Sequence, residues 1–261
     1  SYSVYEQAQR YRAAKAVLQD IYALDAEHAE AVKALEQLWE EGYTVAAHQL
    51  GKFYRDDLST LRDHEKAEEW FRRSAEAGND FSEYALGKLL LTQKRWEEAL
   101  GWLGKAADHG NQFARYRLGK IYLAGESVPK DVAKALAYLT ASADQGNQFA
   151  QYTLGKLFLL WRDVPPDREQ AREWLIRAAA QGNEYARFFL DHFDQFRDPS
   201  VMLAASKLLH HMSRIFQNNS IPPVNPAGIR IDSKRRRRLM EKRMAMGHKA
   251  DDHEEQTQYQ Q

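Results

Sequence analysis

Residues 110–120 read GNQFARYRLGK, and residues 146–156 read GNQFAQYTLGK. Nine of the eleven positions are identical; only Arg115 against Gln151 and Arg117 against Thr153 differ. A catalytic motif needs no second copy at a fixed distance, whereas a building block does. Anchored on its first glycine, the phrase recurs at Gly42, Gly78, Gly110, Gly146 and Gly182, at spacings of 36, 32, 36 and 36 residues. Counting from that glycine, position 4 is small (Ala46, Ser82, Ala114, Ala150, Ala186) and position 8 is leucine (Leu50, Leu86, Leu118, Leu154, Leu190). Position 9 is Gly51, Gly87, Gly119 or Gly155, with Asp191 in the fifth copy. Position 12 is Tyr54, Leu90, Tyr122 or Phe158.

The stretch before each anchor repeats too. Eleven residues upstream stand Ala31, Ala67, Ala99, Ala135 and Ala171, and eight upstream stand Trp70, Trp102, Tyr138 and Trp174. Apolar spacings of three and four residues are helical, not strand-like. Glycine at the anchor supplies the left-handed residue that closes a helix. The loops ESVPKD (126–131) and DVPPDR (163–168) carry prolines that stop one helix and an aspartate that caps the next; TQKR (92–95) is a shortened version. Each unit is therefore a helical hairpin. Its Ala and Gly positions let two backbones approach closely, and its Trp or Tyr fills the space between neighbours. One hairpin cannot bury that face alone, so the units must stack. Further helices fit at roughly 5–23, 26–41, 183–195 and 198–217, where the consensus weakens as in end-capping units.

Composition narrows the function classes. Apolar residues make up 44% of the 261, enough for a core, and 28% are charged. The absence of cysteine excludes disulfides and thiolate metal sites and suits a cytoplasmic protein. No apolar run is long enough for a membrane span, and no signal peptide is visible. The chain opens at Ser1 rather than Met, as expected of a piece of something longer.

The pattern A-x-x-W-x-x-x-A-A-x-x-G-N-x-x-A-x-x-x-L-G-K over residues 31–196, with its VPKD-type loop, resembles the Sel1-like repeat, a relative of the tetratricopeptide repeat. The resemblance implies an all-α fold, a right-handed α-solenoid of about six hairpins that holds other proteins and has no catalysis of its own. The expected organisation is a capping hairpin at 1–41, repeats at 42–196 and a capping helix at 197–217. A Pro/Asn linker at 218–229 and a charged tail at 230–261 complete it.

On the first helix of each unit, positions 3, 6 and 10 fall opposite the core stripe. They hold Phe81, Phe113, Phe149 and Tyr185; Tyr84, Tyr116 and Tyr152; and Lys52, Lys88, Lys120 and Lys156. Such an aromatic–aromatic–lysine ladder is expected either to line a concave groove for an acidic or aromatic-bearing peptide or to pack adjacent hairpins together.

The neutral net charge is a cancellation of blocks. Residues 230–249 carry nine basic and two acidic side chains, and the last twelve residues carry four acids and no base. Asp232 or Ser233 can cap a tail helix ending near Gly247. Lys234, Arg235, Arg236, Arg237, Arg238, Lys242 and Arg243 would give it a phosphate-binding surface, with a membrane-surface or partner-binding amphipathic helix or a plain solvated tail as alternatives. Repeats, Pro linker and basic end together are similar to the C-terminal accessory part of relaxases from bacterial mobilisable elements, which implies DNA contact by the tail. The nicking domain of those enzymes, with its Tyr nucleophile and His–x–His site, is missing, and His210 and His211 are adjacent. The other reading is a free-standing bacterial adaptor without a nucleic-acid role. His248 and His253 with Asp251, Asp252, Glu254 and Glu255 form the one ligand-like cluster, more simply read as solvated. No phosphate loop, serine elbow or zinc motif appears, so no enzyme activity and no cofactor are expected.

Overall fold

The computed structural model describes residues 3–56, 61–160, 162–195 and 197–218; the linker and the basic tail lie outside the described residues. Twelve α-helices and no strand run through the described residues. They fall into two compact units, one reaching Leu89 and one covering Leu90 to Ile215. The first holds α1 (Val4–Gln19), α2 (Asp25–Glu40), α3 (Val45–Arg55), α4 (His64–Glu76) and most of α5 (Asp80–Thr92). The second holds α6 (Trp96–Asp108), α7 (Gln112–Ala124), α8 (Val132–Asp144), α9 (Gln148–Leu159), α10 (Arg168–Ala180), α11 (Glu184–Asp191) and α12 (Pro199–Asn218). The division falls inside α5, in the copy whose connecting loop is shortest.

The repeated Gly–Asn pair does two jobs in two residues. Gly110, Gly146 and Gly182 sit at φ 89, 97 and 90°, the left-handed region that closes a helix, and Gly42 and Gly78 do the same at 90°. The amides of Asn111, Asn147 and Asn183 then bond back to Ala106, Ser142 and Ala178. Each of these asparagines also caps the next helix, accepting from the amides of Ala114, Ala150 and Ala186 at 2.9 Å. Asp131 and Asp167, placed by the proline loops, cap α8 and α10 in the same way. The short loop has no proline or glycine, and Lys94 itself takes the left-handed turn at φ 59°.

Within each pair the second helix nests against position 9 of the first. A Cβ on Gly119 would lie 2.6 Å from Leu139 Cγ and 3.3 Å from the carbonyl oxygen of Ala135; on Gly155 it would meet Leu175 and Ala171 at 2.7 and 3.2 Å. In the first unit Gly51 faces the ring of Phe71. Position 4 is fully buried in every copy, and the leucines at position 8 of the first four are essentially so. Neighbouring turns in the second unit are tied by side chains: Gln145 donates to the carbonyl of Gly110 and Gln181 to that of Gly146. The first unit closes on a bidentate ion pair, Arg10 with Glu41 at 2.7 and 3.1 Å, and on the tilted pair Tyr11–Tyr43, with centroids 5.4 Å apart.

Two outcomes follow from this packing. Gly119→Ala is expected to lower the urea midpoint, costing about 1–3 kcal/mol through overpacking. Gly101→Ala, in mid-helix with nothing within 4 Å of the new methyl, is expected to raise it, by about 0.5–1 kcal/mol. Equal shifts for both would contradict the close-approach account. Burial, reinforced by Tyr43, pushes the Tyr11 hydroxyl up to about 12. The unfolded chain releases that proton nearer pH 10, so stability is full below pH 10 and drains away as pH rises towards 12. Urea midpoints of Tyr11→Phe measured between pH 9 and 11.5 should fall less steeply than those of the unchanged chain.

Candidate protein-binding face

The first helices α3, α7 and α9 each turn position 9 to their partner helices, with positions 4 and 8 buried beside it, which leaves positions 3, 6 and 10 on the other side. There the position-6 ring of one copy meets the position-3 ring of the next. Tyr116 lies 6.2 Å from Phe149 and Tyr152 lies 5.8 Å from Tyr185, centroid to centroid. In the first unit His48 stands where the next three copies have tyrosine, and it meets Phe81 at 6.3 Å. The histidine brings a polar chain with it: Nδ1 lies 2.6 Å from the Ser82 hydroxyl, which donates to Ser74 at 2.6 Å. This substitution is plain in the sequence at position 6 but escapes a search for aromatic rings alone.

The ladder is thus a packing seam, and several of its rings are spent in it. Tyr84, Phe113 and Tyr152 are buried; Phe81, Tyr116, Phe149 and Tyr185 are partly exposed. The lysines lie over the seam, one helical turn past each tyrosine. Lys88, Lys120 and Lys156 hold their ammonium groups 5.1, 5.4 and 5.4 Å from the centroids of Tyr84, Tyr116 and Tyr152. Each contact contributes about 0.5–1 kcal/mol and fixes a cation at position 10 of α5, α7 and α9.

Lys156 stands out electrostatically. It is partly buried, and burial followed by repulsion from Lys120 lowers its pKa below the ordinary lysine value. Its ammonium has no carboxylate partner among the described residues. At the same place Tyr152 is pushed up to about 12 by burial, against a hydrogen bond from Ser206 that lowers it.

That serine belongs to α12, a helix whose position relative to the seam no periodicity announces. Tyr152 Oη and His210 Nε2 are 3.4 Å apart, and the rings of Tyr185 and His210 lie 4.5 Å apart. Met202 joins the buried cluster formed by Tyr152 and Phe189, with Leu209 packed on it. The expected site residues Lys234, Arg235, Arg236, Arg237, Arg238, Lys242 and Arg243, and the His248/His253 cluster, fall outside the described residues. Among the described residues no group of three or more metal-ligating side chains gathers, and no helix is long and apolar enough to cross a membrane.

Known proteins agree with the repeat reading. The family model described as Sel1 repeat matches residues 44–79, 97–111, 112–147 and 148–183. Among solved structures, a Sel1 repeat protein from Oxalobacter formigenes is 27% identical with a TM-score of 0.58, covering 67% of this chain and 73% of its own. A protective antigen of uropathogenic Escherichia coli displaying the SLR fold is 22% identical with a TM-score of 0.55; 83% of this chain aligns, spanning 49% of the antigen. An immunity protein of Pseudomonas aeruginosa is 21% identical with a TM-score of 0.50, over 85% of this chain and 90% of its own. Among curated protein sequences, none matches. Glycine closures, asparagine caps and position-9 contacts thus coincide with the matched segments, and this all-α chain carries Sel1 repeats over residues 44–79 and 97–183.

Proposed function

We propose that the chain is a non-catalytic protein-binding scaffold whose lysine-topped aromatic face takes an acidic, aromatic-bearing peptide of a partner protein. The observation that carries this reading is Lys156. A partly buried ammonium set over a tyrosine, repelled by Lys120 and with no carboxylate partner among the described residues, is a site in deficit of negative charge. A partner aspartate or glutamate would relieve both the desolvation and the repulsion, and its arrival would raise the depressed pKa back towards the ordinary value. Repetition of the Tyr–Lys pair at Tyr116–Lys120 and Tyr152–Lys156 suits an extended ligand that engages both cations at once, each partly exposed ring adding contact area. The likeness to an immunity protein and to a protective antigen concerns the fold alone and adds no partner. The relaxase resemblance and the DNA-contacting role of the basic tail rest on residues 230–249, and the proposal draws on neither.

A peptide library panned on the full chain provides the test. Selected sequences should be rich in Asp and Glu with interspersed aromatics. Their affinity should fall tenfold or more on Lys120→Glu with Lys156→Glu, and the loss should shrink as salt is raised. Selected peptides that carry no acid, or that bind the double variant as well as the unchanged chain, would remove the reading.

A further inference from the structure

The helix α12 occupies the face just described. A partner helix in the regular hairpins sits against positions 4, 8 and 9, as Leu139 does at Gly119 and Leu175 at Gly155. The side chains of α12 reach the other side: Ser206 and His210 meet Tyr152 at position 6, and His210 lies on Tyr185 at position 3. Met202 and Leu209 pack into the cluster that holds Phe189. Residues 202, 206, 209 and 210 share one helical stripe, so α12 lies on the aromatic seam as an amphipathic helix would lie in a groove.

This occupant is incomplete in two respects. The regular helix α10 contributes Ala171, Leu175, Ala178 and Ala179 to the buried core, whereas α12 contributes Met202 and Ser206 and leaves Val201, Leu208 and Met212 exposed. Among its described side chains, those of 200–212, little area is buried, so local opening of that stretch is less costly than that of α9 or α10. It also satisfies only the aromatic half of the face. Between Pro199 and Met212 the helix has no Asp or Glu, so it covers the tyrosines and brings no carboxylate to Lys156.

We infer that α12 is a displaceable occupant of the seam. The partner that replaces it is an amphipathic helix with apolar or small residues at the spacing of Met202, Ser206 and Leu209 and with an acidic residue for Lys156. The inference rests on the protein-binding reading of this face and adds two things to it: the ligand is helical, and the free chain masks part of its own site. Because a competitor must first displace α12, the apparent affinity is lowered by the fraction of chains in which α12 is seated.

A fluorescein-labelled synthetic peptide of residues 199–218 serves as the probe, read by anisotropy on the full chain. The unchanged protein should bind it weakly. The full chain with Met202→Asp and Leu209→Asp, which expels its own α12, should bind it at least tenfold more tightly, and adding Tyr185→Ala should take that gain away. Equal binding to the first two proteins, or to neither, overturns the inference. Hydrogen exchange on the unchanged chain gives a measurement independent of these variants. Amides at 203–212 should exchange at least tenfold faster than those in the middle of α9, and exchange in step with α9 overturns the inference as well. The outcomes separate the two ideas. Acidic library peptides that bind with no effect on the exchange of α12 would remove the masking helix and keep the scaffold reading. A probe that binds the opened chain while no acidic peptide binds would do the reverse.

Discussion

The close approach of two helix backbones at position 9 is the constraint on which the rest of this fold depends. Only a hydrogen fits between the glycine backbone and Phe71, Leu139 or Leu175, because a methyl group there would overlap a side chain packed from the opposite helix. The small residues at position 4 and the leucines at position 8 of the first four copies complete the contact, and they are buried. Once that side of the helix is committed, the aromatic and lysine positions have nowhere to go but the other side. The candidate binding face is in this sense a by-product of how the hairpins close.

The fifth copy shows what happens when the constraint is lifted. Asp191 stands at position 9, and it is exposed. A carboxylate on that side removes the smooth surface against which a second helix nests, since burying an unpaired charge is costly. The next helix, α12, makes its contacts with Tyr152, Tyr185 and Phe189 on the opposite side. The change of residue at this register position coincides with a change in where the next helix settles, and Ser206 and His210 lie on the tyrosines.

Much of the fold could be read from the chain because local rules carried it. The anchor glycines take positive φ, and Asn111, Asn147, Asn183, Asp131 and Asp167 cap as their positions imply. Hairpins over 44–79 and 97–183 follow from those signals and from the period. The face was legible only as a direction. A helical wheel says where Phe149 points; it does not say that Tyr116 lies 6.2 Å away in the preceding copy, so packing and binding could not be separated. The seat of α12 was not legible at all, because Tyr152 and His210 are 58 residues apart and no repeat relates them. The division at Leu89 left a trace, the 32-residue spacing, without revealing its meaning.

The range of these contacts sets an order of assembly. Bonds such as Gln145 to Gly110 and Gln181 to Gly146 join residues 35 apart, so a turn of the array can close soon after its helices have been synthesised. The rings of Tyr152 and Tyr185 must wait longer, because their cover arrives only with Met202, Ser206 and His210. A chain halted on the ribosome or clipped before Pro199 leaves those rings and Phe189 bare together. Such a patch is sticky towards other nascent copies and towards chaperones that survey apolar surface. The last described helix therefore doubles as a cover over that apolar patch.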